Sequence, residues 1–221
     1  MQAPVGILGG TFDPIHFGHL RMAQELYEAL ALAQVRFIPA ATPPHRTQPR
    51  TDSAHRSEMV RCAIAGNSAF GLDLRELERA GPSFSFDTLS ELRAELGESV
   101  PLCLMIGSDA FLGLDTWHRW RELTTLAHIV VAHRPGATPH ESSMTPALLE
   151  EWQAHAPANP AELHALPCGK MLLHPITALD ISASAIRNAL MSGHSPRYLL
   201  PDAVLDYIDT HHLYQKDPNE T

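Results

Sequence analysis

The chain is organised around the stretch GGTFDPIHFGH, which occupies residues 9–19. An apolar run from Val5 to Leu8 precedes this stretch, and an amphipathic helical pattern from Leu20 to Leu32 follows it. This order predicts two glycines at the carboxyl end of a strand and two histidines at the amino terminus of the next helix. Unpaired backbone N–H groups and the positive end of the helix dipole meet at such a turn, so the stretch is suited to bind phosphate.

The side chains of this turn favour the same interpretation. Gly9 and Gly10 let a phosphate approach the backbone, and the imidazoles of His16 and His19 can donate hydrogen bonds to it. The stretch is neither a Walker A loop nor a Gly-x-Gly-x-x-Gly turn. The alternative is structural, because two histidines near a helix start can simply cap the helix.

Composition limits the class of protein. The 221 residues suit one α/β domain with a proper core, since 44% of them are hydrophobic and 19% are charged. A net charge of −9 disfavours nucleic acid as a partner. A cationic signal segment is missing and no apolar run approaches the ~18 residues of a membrane span, so we expect a cytoplasmic protein with no membrane partner. Separated cysteines and scattered histidines predict no metal site built by the protein itself.

Apolar runs alternate with helical patterns, which predicts an α/β fold: a Rossmann-like, doubly wound parallel sheet with helices on both faces. One domain is expected over residues 1–221, with a sheet core at 1–180, an irregular insertion at about 135–167 and C-terminal helices at 181–214. The expected strands are Val5–Leu8, Val35–Pro39, Phe70–Leu77, Leu102–Ile106, Ile129–Ala132 and Met171–His174. The expected helices between them are Leu20–Leu32, Arg56–Ala65, Asp87–Leu96 and Trp120–Leu126.

The stretch at residues 9–19 resembles the (H/T)xGH signature of the nucleotidylyltransferase superfamily. Its longer form, GGTFDPIHFGHL, resembles the bacterial nicotinate-nucleotide adenylyltransferases. The resemblance implies adenylyl transfer from ATP to nicotinate mononucleotide, which yields nicotinate adenine dinucleotide and pyrophosphate in NAD biosynthesis. It also implies Mg²⁺ as a cofactor that binds with ATP through phosphate oxygens and water. The sequence carries no prediction of oligomeric state.

Three further segments are similar to elements that hold the mononucleotide in this family. The segment PAATPPHR, residues 39–46, resembles the PxxxPPHK/R loop, and Ser83–Thr88 resembles a Ser-Tyr-Thr-x-x-Thr helix start. Trp117 resembles the tryptophan that stacks on the pyridine ring, and His118 stands where tyrosine is common. The resemblance therefore assigns mononucleotide binding to His45, Arg46, Ser85, Thr88, Trp117 and His118.

Residues after the later strands complete the predicted ATP site. The segment ISASAIR, residues 181–187, resembles an ISxTxxR motif, and its hydroxyls and guanidinium at a helix start suit a second anion site. Catalysis is assigned to His16, His19 and Arg187. ATP binding is assigned to Gly9, Gly10, Thr11, Phe12, His16, Gly18, His19, Gly107, Asp109, Arg134, Ile181, Ser182, Ser184 and Arg187.

Alternatives remain open for the site and for the function. Ser85, Asp109 and Ser182 can act only as helix caps. A sister transferase of the same fold would adenylylate nicotinamide mononucleotide or phosphopantetheine, and a noncatalytic sensor would bind ATP in the same cleft. Hydride transfer is disfavoured because the glycine fingerprint of dinucleotide-binding dehydrogenases is missing.

Overall fold

The computed structural model describes residues 2–42, 49–134, 136, 138–156, 159, 161–177 and 179–215. Within these residues, parallel strands form one six-stranded sheet in the spatial order β3-β2-β1-β4-β5-β6. The winding reverses between β1 and β4, which confirms the doubly wound, Rossmann-like fold and places a crevice at the carboxyl ends of these strands. The strands are β1 Val5–Gly10, β2 Gln34–Pro39, β3 Phe70–Leu72, β4 Leu102–Gly107, β5 His128–His133 and β6 Met171–Pro175.

Helices cover both faces of the sheet, as predicted. They are α1 Phe17–Ala29, α2 Ser53–Ile64, α3 Arg75–Glu78, α4 Ser85–Leu96, α5 Ser108–Leu112, α6 Leu123–Leu126, α7 Pro146–His155, α8 Glu162–Ala165, α9 Ala183–Met191 and α10 Asp202–Thr210. Leu26 of α1, Val60 of α2 and Leu205 of α10 are buried in the core on one face. Leu92 of α4 and Phe111 of α5 are buried in the core on the other face. Because helices bury both faces, the central strands are apolar almost throughout.

The strand predicted over Phe70–Leu77 is too long. β3 ends at Leu72, and the carboxylate of Asp73 accepts hydrogen bonds from the backbone N–H and the guanidinium of Arg75. This local pairing turns the chain into the short helix α3. The charged residues therefore mark the end of the strand and the start of a helix.

Within the predicted insertion at about residues 135–167, the described residues include the helix α7, Pro146–His155. The Thr145 hydroxyl accepts a hydrogen bond from the backbone N–H of Leu148, and Pro146 occupies the first position of α7. Leu148 is fully buried against the sheet. The insertion therefore contributes to the core.

The structure was also searched for membrane-spanning helices. Across the described ranges, no helix has the length and apolar character needed to cross a bilayer.

Candidate active site

The turn after β1 brings the two predicted catalytic imidazoles together. α1 begins at Phe17, earlier than the predicted Leu20, so His16 is the N-cap and His19 lies in the first turn. The two rings stack with their centroids 3.8 Å apart. The backbone N–H of His16 donates a hydrogen bond to Nδ1 of His19 at 3.3 Å. Because this contact requires an unprotonated Nδ1, the ring proton of His19 is on Nε2, and Nε2 is a hydrogen-bond donor.

His16 has a buried ring with an unused nitrogen. The residue is 6% exposed, and desolvation by burial lowers its pKa to about 4. Its Nδ1 atom is buried and has no hydrogen-bond partner in the part of the chain that the structure describes. A buried polar atom without a partner is unfavourable, so the position of this ring has an energetic cost that the surrounding fold must offset. At pH 7 the ring is neutral and offers a directed hydrogen bond in place of a positive charge.

Close packing explains two residues of the turn. A Cβ atom at Gly18 would lie 3.0 Å from Nδ1 of His16, so a larger residue would press on the imidazole and force it to move by a few tenths of an ångström. Phe12 is 2% exposed and adopts a left-handed φ of 50°, and its ring contacts His19 edge-on at a centroid distance of 5.1 Å. The side chain of Phe12, which was predicted to bind ATP, therefore lies in the core and packs against the ring of His19.

Two glycines leave the crevice open. Gly9 near the end of β1 and Gly107 at the end of β4 lie on either side of the point where the winding reverses. A Cβ atom built on either one would meet no atom within 4 Å beyond its chain neighbours. Open space at this position is where ligands of doubly wound sheets bind. Asp109, which follows in the first turn of α5, is exposed at the same end of the sheet.

The amino terminus of α9 carries two exposed hydroxyl groups. Ser182 is the N-cap, and its Oγ accepts a hydrogen bond from the backbone N–H of Ala185 at 3.2 Å. The hydroxyl oxygens of Ser182 and Ser184 are 3.3 Å apart. Capping and anion binding are compatible here, because Ser182 satisfies one N–H group and the remaining donors of the first turn face outward.

Direct contacts place α9 beside the turn after β1. Nη1 of Arg187 donates a hydrogen bond to the carbonyl oxygen of Asp13 at 2.6 Å. The carbonyl oxygen of Ile181 lies 3.8 Å from the position that a Cβ atom of Gly18 would take. Two helix amino termini and the predicted catalytic guanidinium are therefore neighbours in space.

Arg134 connects the end of β5 to the same helix start. Its Nη2 atom lies 3.3 Å from Oδ1 of Asp180, the residue before Ile181. Both partners are exposed, so this ion pair contributes little to stability and leaves the guanidinium available to a ligand.

Asp13 joins separate parts of the chain, and sequence reasoning did not assign it a role. The residue is 5% exposed. Its Oδ2 atom accepts a hydrogen bond from the backbone N–H of Arg50 at 2.9 Å, and its Oδ1 atom accepts one from the hydroxyl of Tyr214 at 2.7 Å. Burial raises the pKa of the Tyr214 hydroxyl, which stays a donor. Asp13 therefore fixes the turn from which Arg187 takes its orientation.

Arg56 is a second residue that sequence reasoning missed. It is 1% exposed, and its guanidinium donates hydrogen bonds to the carbonyl oxygens of Thr11 at 2.6 Å, Ala40 at 2.7 Å and Thr51 at 3.2 Å. These bonds tie the turn after β1 to the segments that follow β2. No sequence pattern predicts the role of Arg56, because its hydrogen-bond partners are backbone atoms.

The predicted mononucleotide residues of Ser83–Thr88 lie beside the end of β2. The Ser83 hydroxyl oxygen accepts hydrogen bonds from the backbone N–H groups of Ala41 at 2.9 Å and Thr42 at 3.3 Å. α4 begins at Ser85, and its N-cap Phe84 makes no side-chain capping bond. The first turn of α4 therefore keeps backbone donors for another partner.

Aromatic contacts bring the tryptophan loop to this helix start. The rings of Phe84 and His118 stack with centroids 4.4 Å apart, and the guanidinium of Arg119 lies 3.5 Å above the ring centre of Phe86. Trp117 is half-buried at the edge of the core, whereas His118 is exposed. Trp117 and Ser85 are therefore on neighbouring segments, as the predicted site requires.

Of the remaining residues predicted to bind the mononucleotide, the structure describes only Thr88. Thr88 is buried, and its hydroxyl donates a hydrogen bond to Oε1 of Glu76 at 2.6 Å, so its hydroxyl proton is already used inside the protein. His45 and Arg46 lie outside the described residues.

Comparisons with known proteins agree with this geometry. The chain matches the cytidylyltransferase-like family model over residues 7–189. A relative from Dechloromonas aromatica, described as a probable nicotinate-nucleotide adenylyltransferase, is 49% identical over 97% of this chain and 99% of its own length. A relative from Halorhodospira halophila with the same description is 52% identical over 90% of each chain.

Solved structures share the fold. The nicotinic acid mononucleotide adenylyltransferase of Plasmodium falciparum, complexed with NaAD, superimposes with a TM-score of 0.72 over 96% of this chain and 98% of its own, at 20% sequence identity. At this identity the likeness concerns the fold, whereas the bacterial relatives establish the family. The chain therefore belongs to the cytidylyltransferase-like family and, within it, to the nicotinate-nucleotide adenylyltransferases.

Proposed function

We propose that this protein transfers the adenylyl group of ATP to nicotinate mononucleotide and releases nicotinate adenine dinucleotide and pyrophosphate. One observation carries the proposal: the amino termini of α1 and α9 converge on the turn after β1, beside the open ends of β1 and β4. His16, His19 and Arg187 lie at this convergence. Two helix amino termini with hydrogen-bond donors between them are suited to a polyphosphate.

The chemistry requires little from the protein beyond placement and charge stabilisation. The 5′-phosphate of the mononucleotide attacks the α-phosphorus of ATP, a new phosphoanhydride bond forms, and the bond to pyrophosphate breaks. The nucleophile is already an anion, so no general base is needed and no covalent enzyme intermediate forms. The rate then depends on in-line positioning and on donors aimed at the developing charge.

The donors in the site have distinct roles in this scheme. Nε2–H of His19 donates to a phosphate oxygen, and the buried ring of His16 stacks on the His19 ring and holds it in place. Arg187, with the hydroxyls of Ser182 and Ser184, holds the pyrophosphate that leaves. Because Arg187 is anchored on a backbone carbonyl through one nitrogen, the rest of its guanidinium is oriented before ATP binds.

Mg²⁺ is expected to enter the site together with ATP. Among the described residues, no group of three or more His, Cys, Asp or Glu side chains is placed to hold a metal ion. When bound, the ion neutralises charge on the phosphates.

The pyridine end is proposed to bind between Trp117 and the start of α4. The indole face suits a flat aromatic ring, and the backbone donors of the first turn of α4 suit the nicotinate carboxylate. A neutral nicotinamide would gain less from the helix dipole, which favours the acid as substrate. His45 and Arg46 remain predicted contacts of the mononucleotide phosphate. The expected cytoplasmic location is part of the same proposal.

A pyrophosphate-release assay tests the function. Purified protein is incubated with ATP, Mg²⁺ and either nicotinate mononucleotide, nicotinamide mononucleotide or phosphopantetheine. We expect the highest kcat/KM with nicotinate mononucleotide. A higher value with another acceptor supports a sister transferase, and ATP binding without pyrophosphate release supports a sensor.

A further inference from the structure

Glu76 is a buried carboxylate that the adenylyl transfer does not use. It lies in the first turn of α3 and is 7% exposed. Burial raises its pKa, while hydrogen bonds from the hydroxyls of Thr88 and Ser83 oppose that shift. A carboxylate is rarely buried unless its oxygens have partners, so these contacts explain how Glu76 is tolerated.

The hydrogen bonds around Glu76 have a defined direction. Thr88 Oγ1 donates to Oε1 of Glu76 at 2.6 Å. The Ser83 hydroxyl interacts with the same carboxylate and lowers its pKa. The Ser83 oxygen accepts from the backbone N–H groups of Ala41 at 2.9 Å and Thr42 at 3.3 Å, which leaves its hydroxyl proton available to Glu76. Carboxylate, hydroxyl and backbone amides thus form a relay in which each donor has an acceptor.

The relay holds both ends of the segment that contains Ser85. Ser83 precedes the start of α4 and Thr88 lies in its first turn, and both hydroxyls point to Glu76. Arg79 donates to Thr88 Oγ1 at 3.2 Å and thereby uses one of the two lone pairs of this hydroxyl. The orientation of the first turn of α4 therefore depends on one buried acceptor.

We propose that Glu76 is a positioning residue for the mononucleotide: through Ser83 and Thr88 it orients the donors at the start of α4 and the end of the segment after β2. The inference rests on the proposed function, because it concerns the acceptor side of that reaction. Glu76 does not touch the substrate. The ATP side is held by other contacts, chiefly those of Arg56 and Asp13.

Substitution of Glu76 by glutamine removes one hydrogen-bond acceptor while the size of the side chain stays the same. The amide has the size of the carboxylate, but one oxygen becomes a donor, so one of the two hydroxyls loses its acceptor. We expect Glu76→Gln to raise the KM for nicotinate mononucleotide roughly fivefold or more, the effect of about one lost hydrogen bond, with the KM for ATP changed less than twofold. Glu78→Gln, an exposed carboxylate in the same short helix, is the matched control and leaves both values unchanged.

A double-mutant cycle tests the relay itself. If Glu76 acts through Ser83, the effects of Glu76→Gln and Ser83→Ala on the KM for the mononucleotide are not additive. Additive effects, an unchanged KM for the mononucleotide, or an equal rise for both substrates would overturn the inference. Should Glu76→Gln fail to fold, Ser83→Ala alone carries the test through the same split between the two KM values. A wild-type protein inactive with nicotinate mononucleotide contradicts the proposed function and the inference with it, whereas an active wild type with an unaffected variant contradicts the inference alone.

Discussion

The two halves of the site are held in different ways. On the ATP side, guanidinium groups bind backbone carbonyls: Arg56 contacts that of Thr11, and Arg187 contacts that of Asp13. On the acceptor side, the Ser83 hydroxyl also binds backbone amides, but contacts between side chains are added, as in the stacking of Phe84 on His118 and the hydrogen bond from Thr88 to Glu76. The geometry of phosphate transfer is the same for any acceptor, and contacts to the backbone can hold that geometry whatever the side chains are. Recognition of one particular acceptor depends on side chains, so amino-acid substitutions can change which acceptor binds.

The largest effect is expected from removing a donor on the ATP side. His19→Ala deletes the Nε2–H group, and kcat should fall about 10²–10³-fold, or ~2.7–4 kcal/mol, by comparison with the loss of one oxyanion-hole donor. Steady-state kinetics with both substrates measures it. His194→Ala, an exposed histidine outside the site, is the control. Wild-type turnover in His19→Ala would show that the His19 imidazole does not stabilise the transferred phosphate.

The burial of His16 should appear in the pH dependence of stability. Its pKa is about 4 in the folded protein against 6.5 when solvated, so the unfolded state binds the proton more tightly. The contribution to stability is fully present above pH 6.5 and decreases as pH falls toward about 4, by about 3 kcal/mol in all. Denaturant unfolding between these pH values should show a smaller loss for His16→Gln than for the wild type. If the free energy of unfolding decreases equally with pH in both proteins, the imidazole of His16 is solvated in the folded state.

The open crevice can be filled without disturbing the fold. Gly107→Val places a side chain where no neighbouring atom lies within 4 Å of the Cβ position, so the melting temperature should change little. The kcat/KM for ATP should fall roughly tenfold or more, equivalent to ~1.4 kcal/mol. Gly71→Val in β3, which is equally open but away from the crevice, should keep full activity. Loss of activity in both variants would point to a general effect on the sheet.

The smallest effect concerns the acceptor side. Trp117→Ala should raise the KM for the mononucleotide about two- to tenfold, the value of an aromatic contact of ~0.5–1.5 kcal/mol, and leave the KM for ATP unchanged. Trp117→Phe should restore most of the affinity because it keeps a flat ring. A parallel rise of both KM values would mean that Trp117 contributes only to the core.

Sequence patterns predict the fold, and they predict where the residues of the proposed ATP site lie better than they predict the contacts of the proposed acceptor site. Apolar runs followed by glycines predict where strands end, and a parallel sheet brings those ends together, so the arrangement of His16, Gly107 and Arg187 follows from local signals. Arg56 and Glu76 carry no such signal, because their partners are distant backbone groups and hydroxyls that only the tertiary fold brings near. Phe12 belongs to the predicted phosphate-binding turn, and its side chain is buried against His19, a contact that the sequence does not indicate.

The hydrogen bond between Tyr214 and Asp13 has a consequence for the timing of synthesis. Asp13, in the turn after β1, leaves the ribosome early, whereas Tyr214, whose hydroxyl donates a hydrogen bond to it, is added 201 positions later. A nascent chain can assemble most of the sheet before Tyr214 is added, but the proposed ATP pocket stays without this support until α10 and Tyr214 have docked. We therefore expect competence for AMP transfer only after Tyr214 has been synthesised.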